Sequence, residues 1–179
     1  MYNLSDFPKM IQTERLVLRV VLPTKTNAQE LFKVIEQNRA HLEKWQQHFI
    51  TLVSVDAVLA KIQQRYNQIA TNEGILFGIY KGNNLIGRIR FSHIKDKGCK
   101  IGYWLIKSEN GHGYMTEALT ALETELFKFG FTKVILDIDS GNTKSKSVAE
   151  RNGYQMVKQV PNDTNSEFDL LLYQKTYTK

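Results

Sequence analysis

The first clear pattern along the chain is an alternation of apolar and polar residues in ERLVLRVVL, residues 14–22. Successive side chains of a strand point to opposite faces, so this alternation indicates a half-buried strand. Three further runs of β-branched and aromatic residues are ILFGIYK, LIGRIRFSHI and CKIGYWLIK, between residues 75 and 107. Short turns containing Gly, Asn and Asp separate these runs, which predicts antiparallel hairpins.

Apolar residues at helical spacing mark four other segments, 25–36, 54–70, 114–129 and 142–153. A spacing of three and four residues places the apolar side chains on one face of a helix. Ser54 or Asp56 is the candidate cap of the second helix. Asn142 stands near the start of the fourth helix, and Gly153 is a typical residue for its end.

The strands KVILDID, YQMVKQV and FDLLLYQKTY complete the pattern, which reads β-α-α-β-β-β-α-β-α-β-β. A strand–helix–strand crossover within hairpins predicts an α/β fold with a mixed, mostly antiparallel sheet of seven strands and helices on both faces. It makes CKIGYWLIK and KVILDID parallel neighbours. The length of 179 residues fits a single domain, 1–179.

Composition and charge narrow the classes of function. The net charge is +6, but lysine and arginine are scattered and form no basic stripe, so we expect no direct nucleic-acid binding. No apolar run approaches the roughly 18–20 residues of a membrane span. The N-terminal segment lacks a signal-peptide pattern, so we expect a cytoplasmic protein that does not enter the membrane. The four histidines lie in separate segments, which predicts no metal site, and the single cysteine, Cys99, has no activating motif around it.

The strongest chemical signal is the glycine-rich turn SENGHGYMTEAL at 108–119, which opens the third helix. A helix N-terminus offers unpaired N–H groups and partial positive charge, which suit a phosphate. Gly111 and Gly113 would let the backbone approach such a group, and Thr116 could add a hydroxyl. A tight turn that requires positive φ angles explains the glycines equally well. The P-loop spacing is absent, and Thr116 stands where a dinucleotide motif has its third glycine.

The stretch from IGYWL to ERNGY, residues 101–154, resembles the coenzyme A-binding core of the GNAT N-acetyltransferases. It is most similar to the RimJ/RimL-type branch, which acetylates the N-termini of ribosomal proteins. In that family IGYWL corresponds to the strand that pairs with the pantetheine arm, and GHGYMTEAL to the pyrophosphate loop. GNTKSKSVAERNGY matches the segment that faces the pantetheine and thiol, and NRAHLEKW resembles a helix on the substrate side.

The resemblance implies that acetyl-CoA is the cosubstrate, and it also indicates which residues bind it. The implied cofactor-binding residues are Leu105, Ile106, Lys107, Gly111, His112, Gly113, Tyr114, Met115, Thr116, Asn142 and Lys144. Asn38 and Trp45 are implied on the acceptor side. Ser145 corresponds to a hydroxyl that protonates the departing thiolate, although capping of the fourth helix explains this serine as well. The resemblance also suggests a homodimer.

Two positions depart from the family pattern. Asn110 begins the loop where relatives have Gln or Arg, and the acidic base of some relatives cannot be transferred, because Pro161, Asp163 and Glu167 occupy that region. A missing base favours an α-amino acceptor, whose pKa is roughly 7.7–8.0, over a lysine amine near roughly 10.4. We therefore expect direct attack by a protein N-terminus, such as that of a ribosomal protein, in a ternary complex. A small-molecule amine acetyltransferase (polyamine, amino acid or antibiotic) and a non-catalytic acyl-CoA-binding module remain the alternatives.

Overall fold

The computed structural model describes residues 2–161 and 168–177. The strands are β1 Met10–Gln12, β2 Val17–Val20, β3 Gly74–Lys81, β4 Asn84–Lys95, β5 Gly98–Leu105, β6 Lys133–Asp139, β7 Gln155–Val160 and β8 Leu170–Thr176. The helices are α1 Lys25–Glu43, α2 Val55–Ala70, α3 Tyr114–Lys128 and α4 Thr143–Arg151. No helix in these ranges is long and apolar enough to cross a membrane.

All described strands form one mixed sheet in the order β1-β2-β3-β4-β5-β6-β8-β7, in which only β5 and β6 are parallel. The prediction of seven strands is wrong by one. ERLVLRVVL pairs only over its middle, and the chain before it turns back through Thr13 and Leu16 to form β1. The three residues of β1 bury one side chain, that of Ile11. A single buried residue gives no periodicity from which a strand could be predicted.

The first helix is longer than the sequence pattern predicted, because tertiary contacts stabilise its polar second half. Arg39 forms ion pairs with Glu36 and Glu43 along the helix. Its guanidinium also donates to the main-chain oxygens of Phe49 and Leu52, at 2.8 and 2.7 Å. These bonds tie the helix to the turn that follows it. The other three helices agree with prediction to within a residue or two, including the caps at Ser54 and Asn142.

Two hydrophobic cores lie on opposite faces of the sheet, which confirms the prediction of helices on both faces. One core packs α3 and α4 against the sheet, with Leu119, Leu122 and Phe91 fully buried. The other packs α1 and α2 against the opposite face, around Leu31 and Ile62. The sheet is therefore the middle layer of the molecule, as expected for an α/β domain with an apolar face to cover on each side.

The parallel pair β5 and β6 diverges after a few residues. Their ladder extends only from Gly98↔Lys133 to Lys100↔Ile135, although each strand continues for several residues. Residues 101–105 of β5 and residues 136–139 of β6 are not paired with each other. A cleft therefore opens at the carboxyl ends of two parallel strands, which is the position that ligands favour in α/β sheets.

Candidate active site

The cleft between β5 and β6 continues through the molecule as three adjoining cavities. The first, at the glycine-rich loop, is lined by Gly111, Gly113, Tyr114, Thr116, Lys144, Ser147 and Arg151. The middle cavity is lined by His41, Trp45, Gln46, Tyr103, Leu105, Asn110, Met115, Asn142, Ser145 and Val148. The third, here called the acceptor end, is lined by Trp45, Gln46, His48, Gly102, Tyr103, Asp137, Asp139 and Ser145. The cavities are continuous: Leu105, Asn110, Met115, Lys144 and Val148 line both the loop cavity and the middle cavity. Trp45, Gln46, Tyr103, Asn142 and Ser145 line both the middle cavity and the acceptor end.

The loop cavity has the geometry of an anion site. Gly111 and Gly113 have φ angles of 88° and 80°, in the left-handed region that favours glycine. Gly113 is the N-cap of α3, and no side chain caps the first turn of that helix. Its N–H groups are therefore open to a ligand. The Thr116 hydroxyl is buried beside them and has no hydrogen-bond partner among the described residues.

Arg15 fixes the position of this loop, and sequence reasoning missed it. Its guanidinium donates to the main-chain oxygen of His112 at 3.0 Å and pairs with Glu117 at 2.6 Å. It also lies over the ring of Tyr114, 4.7 Å from the centroid. The loop is thus held from outside, by a residue at the turn before β2, and its N–H groups remain free of side chains.

Asn142 and Ser145 organise the start of α4 at the centre of the cleft. The side-chain oxygen of Asn142 accepts the N–H of Ser145 at 3.1 Å, the usual N-cap bond. This bond uses the main chain of Ser145 and leaves its hydroxyl free. The hydroxyl lies 2.9 Å from the phenol oxygen of Tyr103 on β5. Capping and a chemical role for Ser145 are therefore compatible.

Tyr103 is the central site residue that the sequence did not single out, although it stands within the quoted IGYWL. Burial raises the pKa of its phenol to about 12, an effect that the hydrogen bond to Ser145 opposes. The phenol therefore keeps its proton at neutral pH and can donate to the serine hydroxyl. Together the two hydroxyls form a short hydrogen-bonded pair that can supply a proton to an atom in the cleft.

The main chain of β5 also faces the cleft. The N–H of Ile106 donates to the main-chain oxygen of Ile86 at 2.9 Å, which makes this pair a hydrogen-bonded rung of the antiparallel ladder. Hydrogen-bonded and non-hydrogen-bonded residue pairs alternate along an antiparallel ladder. Tyr103 and Leu105 belong to non-hydrogen-bonded pairs, so their main-chain N–H and C=O groups point away from β4 and into the opening. The side chain of Gln46 donates to the Tyr103 oxygen at 3.0 Å. The strand can thus hydrogen-bond an extended ligand.

The acceptor end contains carboxylates, a histidine and aromatic rings. Asp137 pairs with Lys100 at 2.5 Å, and the ring of Trp45 lies 5.8 Å from that of Phe168. Desolvation of its ring and the nearby charge of Arg88 lower the pKa of His48 well below its usual range. The imidazole is therefore neutral at physiological pH and can accept a hydrogen bond.

Most of the residues implied by the resemblance come together in the cleft. Four of them do not line it: Asn38, Ile106, Lys107 and His112. Asn38 accepts the N–H of Lys107 at 3.2 Å and donates to the Val34 oxygen at 3.0 Å, so both ends of its amide are occupied. The N–H of Ile106 is bound within the sheet, and the ring of His112 stacks on Tyr114 outside the cleft. These four residues hold the ends of the loop.

Asn110 has a structural part in the loop. Its amide donates to the oxygens of Ile106 and Lys107 at 3.2 and 3.3 Å, which closes the turn between β5 and the glycines. Asp163 and Glu167, which stand in the region of the base of some relatives, lie outside the described residues. Within the described ranges no three His, Cys, Asp or Glu side chains are grouped to hold a metal ion.

Comparison with known proteins agrees with this geometry. The acetyltransferase (GNAT) domain family matches residues 15–155. A Bacillus subtilis (strain 168) protein named as a ribosomal N-acetyltransferase, YdaF, is 30% identical over 145 residues, 79% of this chain and 78% of its own. The ribosomal-protein-serine acetyltransferase of Escherichia coli (strain K12) is 37% identical over 82 residues, 44% of this chain and 46% of its own.

Solved structures share the fold at lower identity. RimL, a ribosomal L7/L12 α-N-protein acetyltransferase in complex with coenzyme A, superposes with a TM-score of 0.88, 22% identity and coverage of 94% of this chain and 98% of its own. The microcin C7 self-immunity acetyltransferase MccE, in complex with acetyl-CoA and AMP, gives 0.84 at 22% identity, covering 92% and 93%. The family match over most of the chain confirms the resemblance, and the protein belongs to the GNAT acetyltransferase family.

Proposed function

We propose that this protein transfers the acetyl group of acetyl-CoA to a primary amine, the N-terminal α-amino group of a ribosomal protein. The observation that carries the proposal is the cleft between the diverging strands β5 and β6, with the glycine-rich loop at one end and the Tyr103–Ser145 pair at its centre. The names of two relatives, from Bacillus subtilis and Escherichia coli, support the ribosomal acceptor.

The residues of the loop cavity suit a pyrophosphate. It is lined by the open N–H groups of α3, by the cations Lys144 and Arg151, and by the buried hydroxyl of Thr116, which has no hydrogen-bond partner among the described residues. The inward-facing groups of Leu105 would hydrogen-bond the amides of the pantetheine arm, and Met115 would contact its apolar part. Bound in this way, acetyl-CoA supplies an activated thioester carbonyl at the centre of the cleft.

The reaction requires one new bond and one broken bond. The amine nitrogen attacks the thioester carbon, the N–C bond forms, and the C–S bond breaks in the same ternary complex. Main-chain N–H groups of β5 stabilise the oxyanion of the tetrahedral intermediate. Ser145 donates its proton to the departing thiolate and is reprotonated by the phenol of Tyr103, which recovers a proton from solvent. The amine loses its proton to water at the acceptor end.

A small-molecule acceptor is the second candidate, because MccE has the same fold and was solved with AMP as well as acetyl-CoA. Thiol release from acetyl-CoA separates the candidates. We expect turnover with peptides that carry a free α-amine and none with the same peptides blocked at the N-terminus but containing lysine. Turnover with polyamines or amino acids alone would favour the second candidate. Coenzyme A binding without any release would indicate a non-catalytic module.

Gly113→Glu tests the loop assignment, with Gly153→Glu as its matched control. Both glycines have φ near 80°, and neither is crowded by backbone, so both substitutions add the same charge and similar strain, about 1–2 kcal/mol. Only Gly113 lines the cleft. Calorimetry should show coenzyme A affinity reduced at least a hundredfold in Gly113→Glu and unchanged in Gly153→Glu. Equal affinities in the two variants would remove the pyrophosphate from this loop.

We further propose a cytoplasmic location and a homodimeric state. Modification of a ribosomal protein would place the activity in the cytoplasm, and the resemblance supports a homodimer. Sedimentation velocity of the purified protein would report the oligomeric state directly.

A further inference from the structure

Four cationic side chains lie together on the face of the sheet that α2 covers. Arg88 and Arg90 are two residues apart on β4, so their side chains point to the same face of the sheet. Arg88 is paired with Trp104 of β5, which belongs to the core beneath α1 and α2. Arg65 and Arg90 both donate to the side-chain oxygen of Gln68, at 3.3 and 2.9 Å. Lys61 precedes Arg65 by one turn of α2. These four residues, Lys61, Arg65, Arg88 and Arg90, are called the basic cluster below.

The basic cluster has no acidic partner among the described residues. Three other cations, Arg15, Arg39 and Lys175, each form an ion pair with a carboxylate. Within the ranges that the structure describes, no carboxylate lies at ion-pair distance from any member of the cluster. Glu73 accepts from the amide of Gln68 at 3.1 Å, and its charge acts on Arg90 from beyond ion-pair distance, where it raises the pKa of Arg90 against the larger effect of burial.

An arrangement of this kind opposes folding. All four side chains are partly buried, and partial burial of unpaired like charges costs free energy. Burial, followed by the charges of Arg65 and Arg90, lowers the pKa of Arg88. Burial likewise lowers the pKa of Arg90. Partly buried cations without a carboxylate partner are candidates for binding a ligand of opposite charge.

The cluster adjoins the acceptor end of the cleft. The guanidinium of Arg88 lies 2.6 Å from the Nε2 atom of His48, whose neutral ring can accept this bond. His48 itself lines the acceptor end, together with Tyr103 and Ser145. The rings of Phe49 and Trp104 lie 5.1 and 5.8 Å from the Arg88 guanidinium and hold it in place. The hydrogen bond between Arg88 and His48 therefore connects the basic cluster to the acceptor end.

We propose that the basic cluster binds Asp or Glu side chains of the acceptor peptide, so that the enzyme selects protein N-termini with acidic residues close behind the acetylated amine. The inference rests on the proposed function and adds the sequence preference of its acceptor. An extended peptide advances about 3.3–3.6 Å per residue, which brings its first few side chains past the acceptor end. The cations lie between a helix and a sheet, beside aromatic rings, which suits single carboxylates better than a nucleic-acid backbone.

Two peptides of equal length test the preference, one with Asp or Glu at positions two to five and the other with the matching amides. With acetyl-CoA saturating, we expect kcat/KM to be at least tenfold higher for the acidic peptide at low ionic strength. The ratio should fall as salt is added, because ions screen the part of each charge that faces solvent. Lys61→Gln/Arg65→Gln removes two of the four cations, so the ratio should fall about threefold. Lys128→Gln, an exposed cation on α3 remote from the cleft, should keep the wild-type ratio.

The outcomes are distinguishable. Equal kcat/KM for both peptides in the wild-type protein would overturn the acidic preference and leave the acetyltransferase function standing. A double variant that retains the full ratio, with an unchanged melting temperature, would also overturn it. Absence of turnover on every peptide would refute the proposed function together with this inference. Stronger competition by an RNA oligonucleotide than by an N-terminally blocked acidic peptide would assign the cluster to nucleic acid.

Discussion

At the scale of single residues, the hydroxyls of Tyr103 and Ser145 decide what the cleft can do. They come from different elements, β5 and α4, and meet at 2.9 Å only because β5 diverges from β6. Ser145 could be named from the sequence, since it stands three residues after a capping asparagine. Tyr103 could not, because nothing local separates a tyrosine that faces the cleft from one that packs in the core.

Ser145→Ala should lower kcat about a hundredfold, the lower range for loss of a positioned proton donor. Coenzyme A affinity should stay close to wild type, because the capping bond uses the serine N–H and survives the change. Tyr103→Phe keeps the ring and removes the second hydroxyl, so we expect a smaller loss, about tenfold. Steady-state kinetics and calorimetry measure both effects. A kcat of Ser145→Ala equal to wild type would remove the serine from the mechanism.

At the scale of elements, the N-termini of α3 and α4 contribute more residues to the site than any other helix terminus. The cap of α4 was predictable, because an asparagine followed by a polar, helix-forming segment and a glycine is a local signal. The extension of α1 and the short strand β1 were not predictable. Both depend on contacts with residues outside the element itself, the bonds from Arg39 to the turn after α1 and the pairing of Ile11 with Leu18.

Asn142→Ala and Ser54→Ala form a matched pair, since each removes a side-chain cap from a helix. Both should lower the free energy of unfolding by about 0.5–2 kcal/mol. Only Asn142→Ala should also lower kcat/KM for acetyl-CoA, because α4 presents Ser145 to the cleft, whereas no residue of α2 is among those that line its three cavities. Denaturant titrations and initial rates measure the two effects. Comparable rate losses in both variants would show that the effect of Asn142 is global.

At the scale of the whole molecule, the sheet buries ionisable groups that the mechanism does not use. Cys99 on β5 is 2% exposed, in the core beneath α3. Burial raises the pKa of its thiol to about 12, with a smaller contribution from Glu123. The thiol is therefore neutral and unreactive at physiological pH, which agrees with its lack of an activating motif.

This burial predicts a loss of stability in alkali. The folded pKa of Cys99 lies above that of the unfolded chain, so its contribution to stability is complete below about pH 8.5 and declines as the pH rises toward 12. Thermal melts between pH 7.5 and 10.5 should show a smaller fall in melting temperature for Cys99→Ala than for wild type. The comparison concerns the slope, because the substitution also leaves a small cavity that lowers stability at every pH. Identical slopes would contradict the prediction.

The sequence by itself determined the order of helices and strands, the glycine-rich loop and the capped start of α4, because hydrophobic period, turn residues and caps act over a few neighbouring residues. Only the tertiary structure decided where β5 and β6 separate, which side chains face the opening, and that Tyr103 meets Ser145 there. It also decided that Lys61 and Arg65 on α2 meet Arg88 and Arg90 on β4. In the sequence these cations are scattered members of a mildly basic composition. They become one group, without a carboxylate partner in the part of the chain that the structure describes, because the packing of a helix on a sheet brings together residues that local pattern does not relate.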